Sequence, residues 1–162
     1  EIRRFAGEET YSPPTVIHWG MTLHEAFKPL YDRGVRVLSG FFERRGKDGK
    51  FDVNYRWDDC HSEWLSRHDA FKDFRSGIVF SKIDIVVNNT PIDQIVPKLQ
   101  PVVDDPNKNE ILDLFTHEQY FWPFYRNYVK DHPERMEATI RFATEHGYKP
   151  VLFHEGLMGA PL

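Results

Sequence analysis

The chain of 162 residues has little cysteine: Cys60 is its only one. A single cysteine excludes an intrachain disulfide and every metal site that needs several thiolates. It also favours a reducing compartment, so we expect a cytoplasmic location. The first residue is Glu1 rather than methionine, and residues 1–7 resemble the last turn of a helix that stops at Gly7. We therefore expect one domain over residues 1–162 that forms the C-terminal part of a longer protein.

Long apolar runs and an excess of positive charge are also missing. No run approaches the roughly 20 apolar residues that span a bilayer, so we expect no membrane partner. The 21 Lys and Arg residues are outnumbered by 25 Asp and Glu residues, and the net charge of −4 gives no case for a nucleic-acid partner. The chain has no Gly-rich phosphate loop, and we expect no nucleotide cofactor. It also lacks the Gly-x-Ser-x-Gly and His-Glu-x-x-His motifs.

Histidines at the ends of apolar runs are the most informative feature that is present. Three runs, at residues 15–18, 111–117 and 151–154, end in His18, His117 and His154. Each run has the length and composition of a buried strand. Because successive strands of an α/β sheet or barrel end on one rim, these side chains are expected to converge there.

Hydrophobic periodicity predicts an α/β chain with mostly parallel strands. A capping box at Thr22 and Glu25 starts a predicted helix over residues 23–33, and Gly34 ends it before a strand at 35–42. With the strand at 15–18 this forms a βαβ unit. A charged turn at 44–50 leads into an extended segment at 51–57, a β-rich insertion. The remaining predictions are helices at 58–75, 92–99 (capped by Thr90) and 133–146, and strands at 78–87 and 151–153.

The loop after residues 111–117 is the strongest candidate site. A histidine at a strand end can exchange a proton near neutral pH, and Glu118 follows it directly. Tyr120 and Trp122 lie in the same aromatic loop and could form the walls of a sugar-sized pocket. The alternative is that His117 hydrogen-bonds a loop while the aromatic residues pack in the core.

Two further sets of residues are candidates. His18 and Trp19 precede Gly20, which allows a tight turn, and they are expected to line the substrate pocket. Lys82 and Asp84 are two residues apart on one strand and share a face, so they form a buried ion pair or a tuned acid–base pair if that face is buried. Asp58, in the sequence Asp58-Asp59-Cys60-His61, is interpreted as a helix cap rather than a metal ligand.

Four stretches, at residues 4–8, 12–20, 31–38 and 116–121, are similar to the later half of a group of uncharacterised bacterial polysaccharide-deacetylase-like proteins. This group is placed among the glycoside hydrolase/deacetylase barrels, and the resemblance covers most of the chain. It implies that the chain forms the later part of a (β/α) barrel, a distorted TIM-type barrel of about seven strands.

The same resemblance implies metal-assisted hydrolysis of acetyl groups on a carbohydrate, with a divalent ion such as Zn, Mn or Co. The Asp and His-x-x-x-His motifs that supply the ligands in typical members are not in this chain, so the ligands are unknown. The late Leu-x-His motif best matches Leu114 to His117, and the resemblance implies that His117 is the general acid. The earlier arginine–proline motif has its nearest counterpart at residues 13–20, where His18 and Trp19 replace the usual residues.

Two other functions fit the residues. One is a glycosidase-like hydrolase with two carboxylates such as Glu43 and Glu118. The other is a carbohydrate-binding module without catalysis. The candidate catalytic residues are His117, Glu118 and Asp84, and the candidate substrate-binding residues are His18, Trp19, Tyr120, Trp122 and Lys82. Because an incomplete barrel leaves open sheet edges, we expect a homo-oligomer or association with the upstream segment.

Overall fold

The computed structural model describes residues 2–7, 13, 15–45 and 47–152. Within them it contains five α-helices: α1 (Ile2–Ala6), α2 (Phe27–Asp32), α3 (Asp59–Leu65), α4 (Ile95–Val103) and α5 (His132–Glu145). The strands are β1 (Val37–Gly40), β2 (Glu43–Arg44), β3 (Phe51–Asp52), β4 (Ala70–Lys72), β5 (Val79–Lys82), β6 (Ile85–Val86) and β7 (Leu114–Phe115). Short 3-10 turns lie at His18–Gly20, His24–Ala26, Val87–Asn89, Ile92–Gln94 and Glu118–Phe121.

Three small sheets are formed by these strands. The first has the order β1-β5-β4, in which β1 runs parallel and β4 antiparallel to β5. Strands β2 and β3 form an antiparallel hairpin, and β6 and β7 form a parallel pair. Phe80 lies on the middle strand of the first sheet, opposite Leu38 of β1 on one side and Phe71 of β4 on the other.

Strands β5 and β6 follow each other along one extended run from Val79 to Val86. The backbone N–H of Ile83 donates to the Gly40 carbonyl oxygen at 2.8 Å, which continues the pairing with β1. The next N–H, that of Asp84, donates to the carbonyl oxygen of Asp113 at 3.1 Å. The run therefore joins the first sheet to the β6–β7 pair, and the carboxyl ends of β6 and β7 lie side by side.

Two apolar cores flank this run. The first contains the buried residues Phe27, Val35, Leu38, Phe42, Tyr55, Leu65, Ile78 and Phe80. The second contains Ile85, Val87, Ile95, Leu99 and Phe142, so it packs α4 and α5 beneath β6. A side chain at residue 40 would collide with the chain, because an added Cβ would lie 2.2 Å from the Val53 carbonyl oxygen. Gly40 therefore allows the loop after β3 to pass close to β1.

The predicted barrel is wrong for the part of the chain that the structure describes. That part is a small mixed α/β arrangement with sheets of two or three strands and no closed barrel. Its strand pairs are as often antiparallel as parallel. One reason is that residues 15–17 form no strand: Thr15 accepts one bond from the Ser39 N–H at 2.7 Å, and the backbone then turns at Trp19 and Gly20, which have positive φ.

Several element predictions are corrected as well. The helix predicted over 58–75 ends at Leu65, and Phe71 lies instead in β4, where its ring stacks 5.2 Å from that of Phe80. Tertiary packing thus overrides local helical spacing. Thr90 does not cap a helix, since its hydroxyl donates to the Val86 carbonyl oxygen at 2.9 Å. Thr22 also makes no capping bond, and α2 starts only at Phe27.

Other predictions are confirmed. Helix α5 ends two residues before Gly147, whose φ is 85°. Asp58 caps α3, with the His61 N–H donating to its carboxylate at 2.9 Å. Of the run at 151–154, Val151 and Leu152 form no strand, and Phe153 and His154 lie outside the described residues. None of the described helices has both the length and the hydropathy needed to cross a membrane.

Candidate functional site

His117 lies two residues beyond β7, at the carboxyl end of the parallel β6–β7 pair. It is half-buried, and its ring makes an edge-on contact with Phe115 at a centroid distance of 4.7 Å. The Tyr120 ring lies 5.8 Å away on the following 3-10 turn. The histidine therefore stands between its own strand and the aromatic loop, as the sequence predicts.

Asn88 is the residue that holds His117. It lies just beyond β6, and its side-chain Oδ1 accepts the His117 backbone N–H at 3.1 Å. The same Oδ1 lies 3.2 Å from the imidazole Nδ1. On the imidazole, Nε2 has no hydrogen-bond partner within the described ranges. One ring nitrogen is thus held, and the other is available to a ligand.

A second histidine supports the strand end from inside. His132, the first residue of α5, is fully buried and its Nε2 lies 3.0 Å from the Thr116 hydroxyl. The Phe121 ring stacks on its imidazole at 3.9 Å. These contacts join Thr116, which precedes His117, and Phe121, which ends the following 3-10 turn, to the first residue of α5.

The aromatic loop after His117 does not form the pocket wall that the sequence predicts at all of its residues. Tyr120 is half-buried and makes an edge contact with Tyr125 at 5.3 Å. Trp122 is 54% exposed and Phe124 85% exposed, and their rings stack at a centroid distance of 5.8 Å. The loop therefore presents an exposed apolar surface of two rings, directly after the 3-10 turn that follows His117.

In the described part of the chain, no side-chain hydrogen bond, ion pair or ring contact joins His117 to three other predicted site residues. Glu118 is exposed at the start of its 3-10 turn. His18 and Trp19 are also exposed, and their rings contact each other edge-on at 5.8 Å. The turn they form packs against the loop after β3, since the Ile17 N–H donates to the Tyr55 hydroxyl at 3.4 Å. Their site roles stay predictions.

Lys82 and Asp84 do lie together, as the strand period predicts. The Lys82 Nζ is 3.9 Å from the Asp84 carboxylate and 3.3 Å from that of Glu43. The Lys82 side chain is only 12% exposed, so this ammonium lies between a buried carboxylate and a half-exposed one. Glu43 is therefore engaged by Lys82, and no described contact links it to Glu118.

A buried carboxyl that the sequence did not reveal lies beside Asp84. Both Ser39 and Ser81 donate a hydroxyl hydrogen bond to the same oxygen of Asp113. Burial raises the pKa of Asp113 to about 7 despite these bonds and the positive charge of Lys82. Burial likewise raises the pKa of Asp84 to about 7, with Lys82 acting in the opposite direction. Asp113 lies within the apolar run at residues 111–117, and no local pattern in the sequence identifies its partners.

Two clefts in the described part of the chain do not include His117. A cleft of about 810 Å³ lies between the segment leading into β7 and the carboxyl end of α5, and Ile111, Leu114, Ile140 and Tyr148 line it. A smaller cleft of about 250 Å³ lies between His24, Trp57 and Arg75. Neither of these two clefts is lined by His117.

The described residues do not fit the divalent ion that the resemblance implies. Among them, no group of three or more His, Cys, Asp or Glu side chains is placed to hold a metal ion. The expected metal thus stays a prediction.

Comparisons with family models, curated proteins and solved structures found no match to the chain. The geometry around His117 is accordingly the basis for a proposed function. Asn88 and His132 are central to that geometry, and sequence reasoning missed both. Asn88 follows a strand end in the same way as His117, and this position was the one available signal.

Proposed function

We propose that the chain acts in the hydrolysis of acetyl groups on a carbohydrate, with His117 as the proton donor to the leaving sugar. The observation that carries the proposal is the Asn88–His117 contact, which holds one imidazole nitrogen at the carboxyl end of two parallel strands and leaves Nε2 available. The late Leu-x-His motif has its best match at Leu114 to His117, with one additional residue between the leucine and the histidine, and this resemblance supports the same role. A positioned histidine typically contributes about 10²–10⁴-fold to such a step.

The chemistry requires a proton at the leaving group. Water adds to the acetyl carbon, and the bond from that carbon to the sugar oxygen or nitrogen breaks. As water adds, Nε2 of neutral His117 takes the proton that the water loses. The imidazole, now charged, gives this Nε2 proton to the departing sugar atom and returns to its neutral form, so atoms and charges balance. No step is assigned to a metal ion, because the described residues form no metal site.

The aromatic loop supports a carbohydrate as the substrate class. Trp122 and Phe124 expose stacked apolar faces next to the turn that carries His117 and Tyr120. Sugar rings have an apolar face that packs on such aromatic rings, while their hydroxyl groups stay in contact with water. An open surface of this kind suits an extended saccharide better than a small enclosed metabolite.

The test is acetate release from acetylated chito-oligosaccharide and acetylated xylan by the purified chain. His117→Gln should lower the rate by about 10²–10⁴-fold. His68→Gln is the matched control, since His68 stacks on Trp64 on helix α3, away from the site, and should leave the rate unchanged. Equal rates for wild type and His117→Gln would overturn the proposal.

The metal expectation is tested in the same preparation. Elemental analysis by mass spectrometry, after purification with added Zn, Mn or Co, shows whether a divalent ion is bound. A stoichiometric ion, together with loss of acetate release on chelation, would support the metal-assisted form of the reaction. Acetate release that persists without bound metal would contradict it.

A second candidate function is carbohydrate binding without catalysis. The exposed Trp122–Phe124 pair favours it, because this surface needs no proton-transfer group. Saccharide binding that survives both His117→Gln and chelation, with no acetate released, would select this function.

A further inference from the structure

The side-chain amide of Asn88 is locked in one orientation. The residue is 2% exposed, and its Nδ2 donates to the Asn89 side-chain oxygen at 2.8 Å. The atom that faces residue 117 lies 3.1 Å from the His117 backbone N–H. A backbone N–H is always a donor, so this atom must be the amide oxygen.

This orientation determines which imidazole nitrogen carries the proton. The same Asn88 oxygen lies 3.2 Å from Nδ1 of His117. An amide oxygen cannot donate, so a hydrogen bond here requires the proton on Nδ1. The hydrogen bond made by one ring nitrogen selects the tautomer of a neutral histidine. Nε2 is then the nitrogen with the free electron pair.

The position of Asn88 is itself supported from α5. The Arg135 guanidinium donates to the Asn88 carbonyl oxygen at 3.2 Å. Asp131 holds the same guanidinium through two contacts, at 3.0 Å to Nε and 2.9 Å to Nη2. Asn88 is thus fixed at its side chain by Asn89 and at its backbone by Arg135.

We infer that Asn88 is a positioning residue that holds His117 in the Nδ1–H tautomer, so that Nε2 is its reactive nitrogen. The catalytic meaning of this inference rests on the proposed function. The tautomer itself does not, and it is measured without any substrate.

The test is nitrogen NMR of the histidine side chains in the full chain, at a pH where the imidazoles are neutral. His117→Gln assigns the His117 signals. The chain provides internal references: Nδ1 of His146 lies 2.8 Å from the Phe142 carbonyl oxygen, and Nε2 of His24 lies 3.1 Å from that of Tyr55. His146 must therefore show the Nδ1–H pattern and His24 the Nε2–H pattern.

We expect His117 to match His146 in the wild type and to change to the His24 pattern in Asn88→Ala. Asn88→Asp keeps an acceptor oxygen and should keep the Nδ1–H pattern. Asn127→Ala, a change at an exposed asparagine outside this network, should change nothing. An Nε2–H pattern in the wild type would overturn the inference, and so would an unchanged pattern in folded Asn88→Ala. The wild-type and Asn88→Asp spectra decide the question if Asn88→Ala does not fold.

Activity separates this inference from the proposed function. If acetate is released, Asn88→Ala should lower kcat at least about tenfold with KM little changed, because proton transfer from a misplaced nitrogen is slowed. If no acetylated sugar is hydrolysed but the tautomers behave as expected, the proposed function fails and the positioning by Asn88 stands. If acetate is released and His117 has the other tautomer, the inference fails alone.

Discussion

Two hydrogen bonds join Asp84 and Asp113, and each residue donates one of them through its backbone N–H. The Asp113 N–H donates to Oδ2 of Asp84 at 2.9 Å, and the Asp84 N–H donates to the Asp113 carbonyl oxygen at 3.1 Å. Both carboxyl groups are buried, and burial raises the pKa of each. The run from β5 to β6 is therefore joined to the segment before β7 by two acids whose charge depends on pH.

The first prediction is that the free energy of unfolding falls as pH rises from about 4 to about 7. An aspartate has a pKa near 3.9 in an unfolded chain, whereas burial raises the pKa of Asp113 to about 7. In this window the folded protein binds more protons than the unfolded one, so rising pH favours unfolding. Each unit of displaced pKa corresponds to about 1.4 kcal/mol.

Asp113→Asn should make that dependence less steep, since an amide does not ionise, while Asp84 keeps its own contribution. Urea unfolding at a series of pH values measures the slope. Asp104→Asn, at an exposed aspartate, should keep the wild-type slope. A full slope in Asp113→Asn would show that other groups cause it.

The second prediction concerns the first apolar core. Phe80 is fully buried, with the rings of Phe27 and Phe71 at 5.0 and 5.2 Å. Phe80→Ala should lower the free energy of unfolding by about 3–5 kcal/mol. Phe74 is 90% exposed, and Phe74→Ala should change it by no more than about 0.5 kcal/mol. Equal effects of the two substitutions in chemical denaturation would contradict the described core.

The third prediction tests the internal support of the site. Thr116→Val removes the hydroxyl beside Nε2 of the fully buried His132, whose Nδ1 has no partner among the described residues. A buried imidazole left without partners should lower the free energy of unfolding by about 1–3 kcal/mol.

Thr144→Val is the matched control for that change. The Thr144 hydroxyl is exposed and donates to the Ile140 carbonyl oxygen within α5, so we expect a change within about 0.5 kcal/mol. Thermal unfolding of both variants gives the comparison. A Thr116→Val protein as stable as Thr144→Val would show that the Thr116–His132 bond contributes nothing.

The fourth prediction tests the aromatic surface. Trp122→Ala removes one ring of the exposed Trp122–Phe124 pair and should weaken saccharide binding by about tenfold, or about 1.4 kcal/mol. Trp64 is exposed to nearly the same extent, at 53%, but stacks on His68. Trp64→Ala should bind saccharide like the wild type in titration calorimetry, and an equal loss in both variants would contradict the assignment.

Local sequence rules predicted the elements with strong start or stop signals. Helix α5 and its end near Gly147 follow from apolar spacing and a glycine that adopts positive φ. The cap at Asp58 follows from a carboxylate that accepts the nearby His61 N–H. The same rules were wrong for Phe71, whose helical spacing to its neighbours is real but whose ring packs on Phe80 instead.

By itself, the sequence determined the start of α3, the end of α5, the shared face of Lys82 and Asp84, and the position of His117 after a strand. Each depends on residues a few positions apart, where backbone geometry imposes the spacing. Only the tertiary structure decided that Asn88 holds His117, that Ser39 and Ser81 meet at Asp113, and that the described strands form small sheets rather than a barrel. These contacts join residues dozens of positions apart. Their formation depends on which buried faces pack together, and no local period in the sequence carries that information.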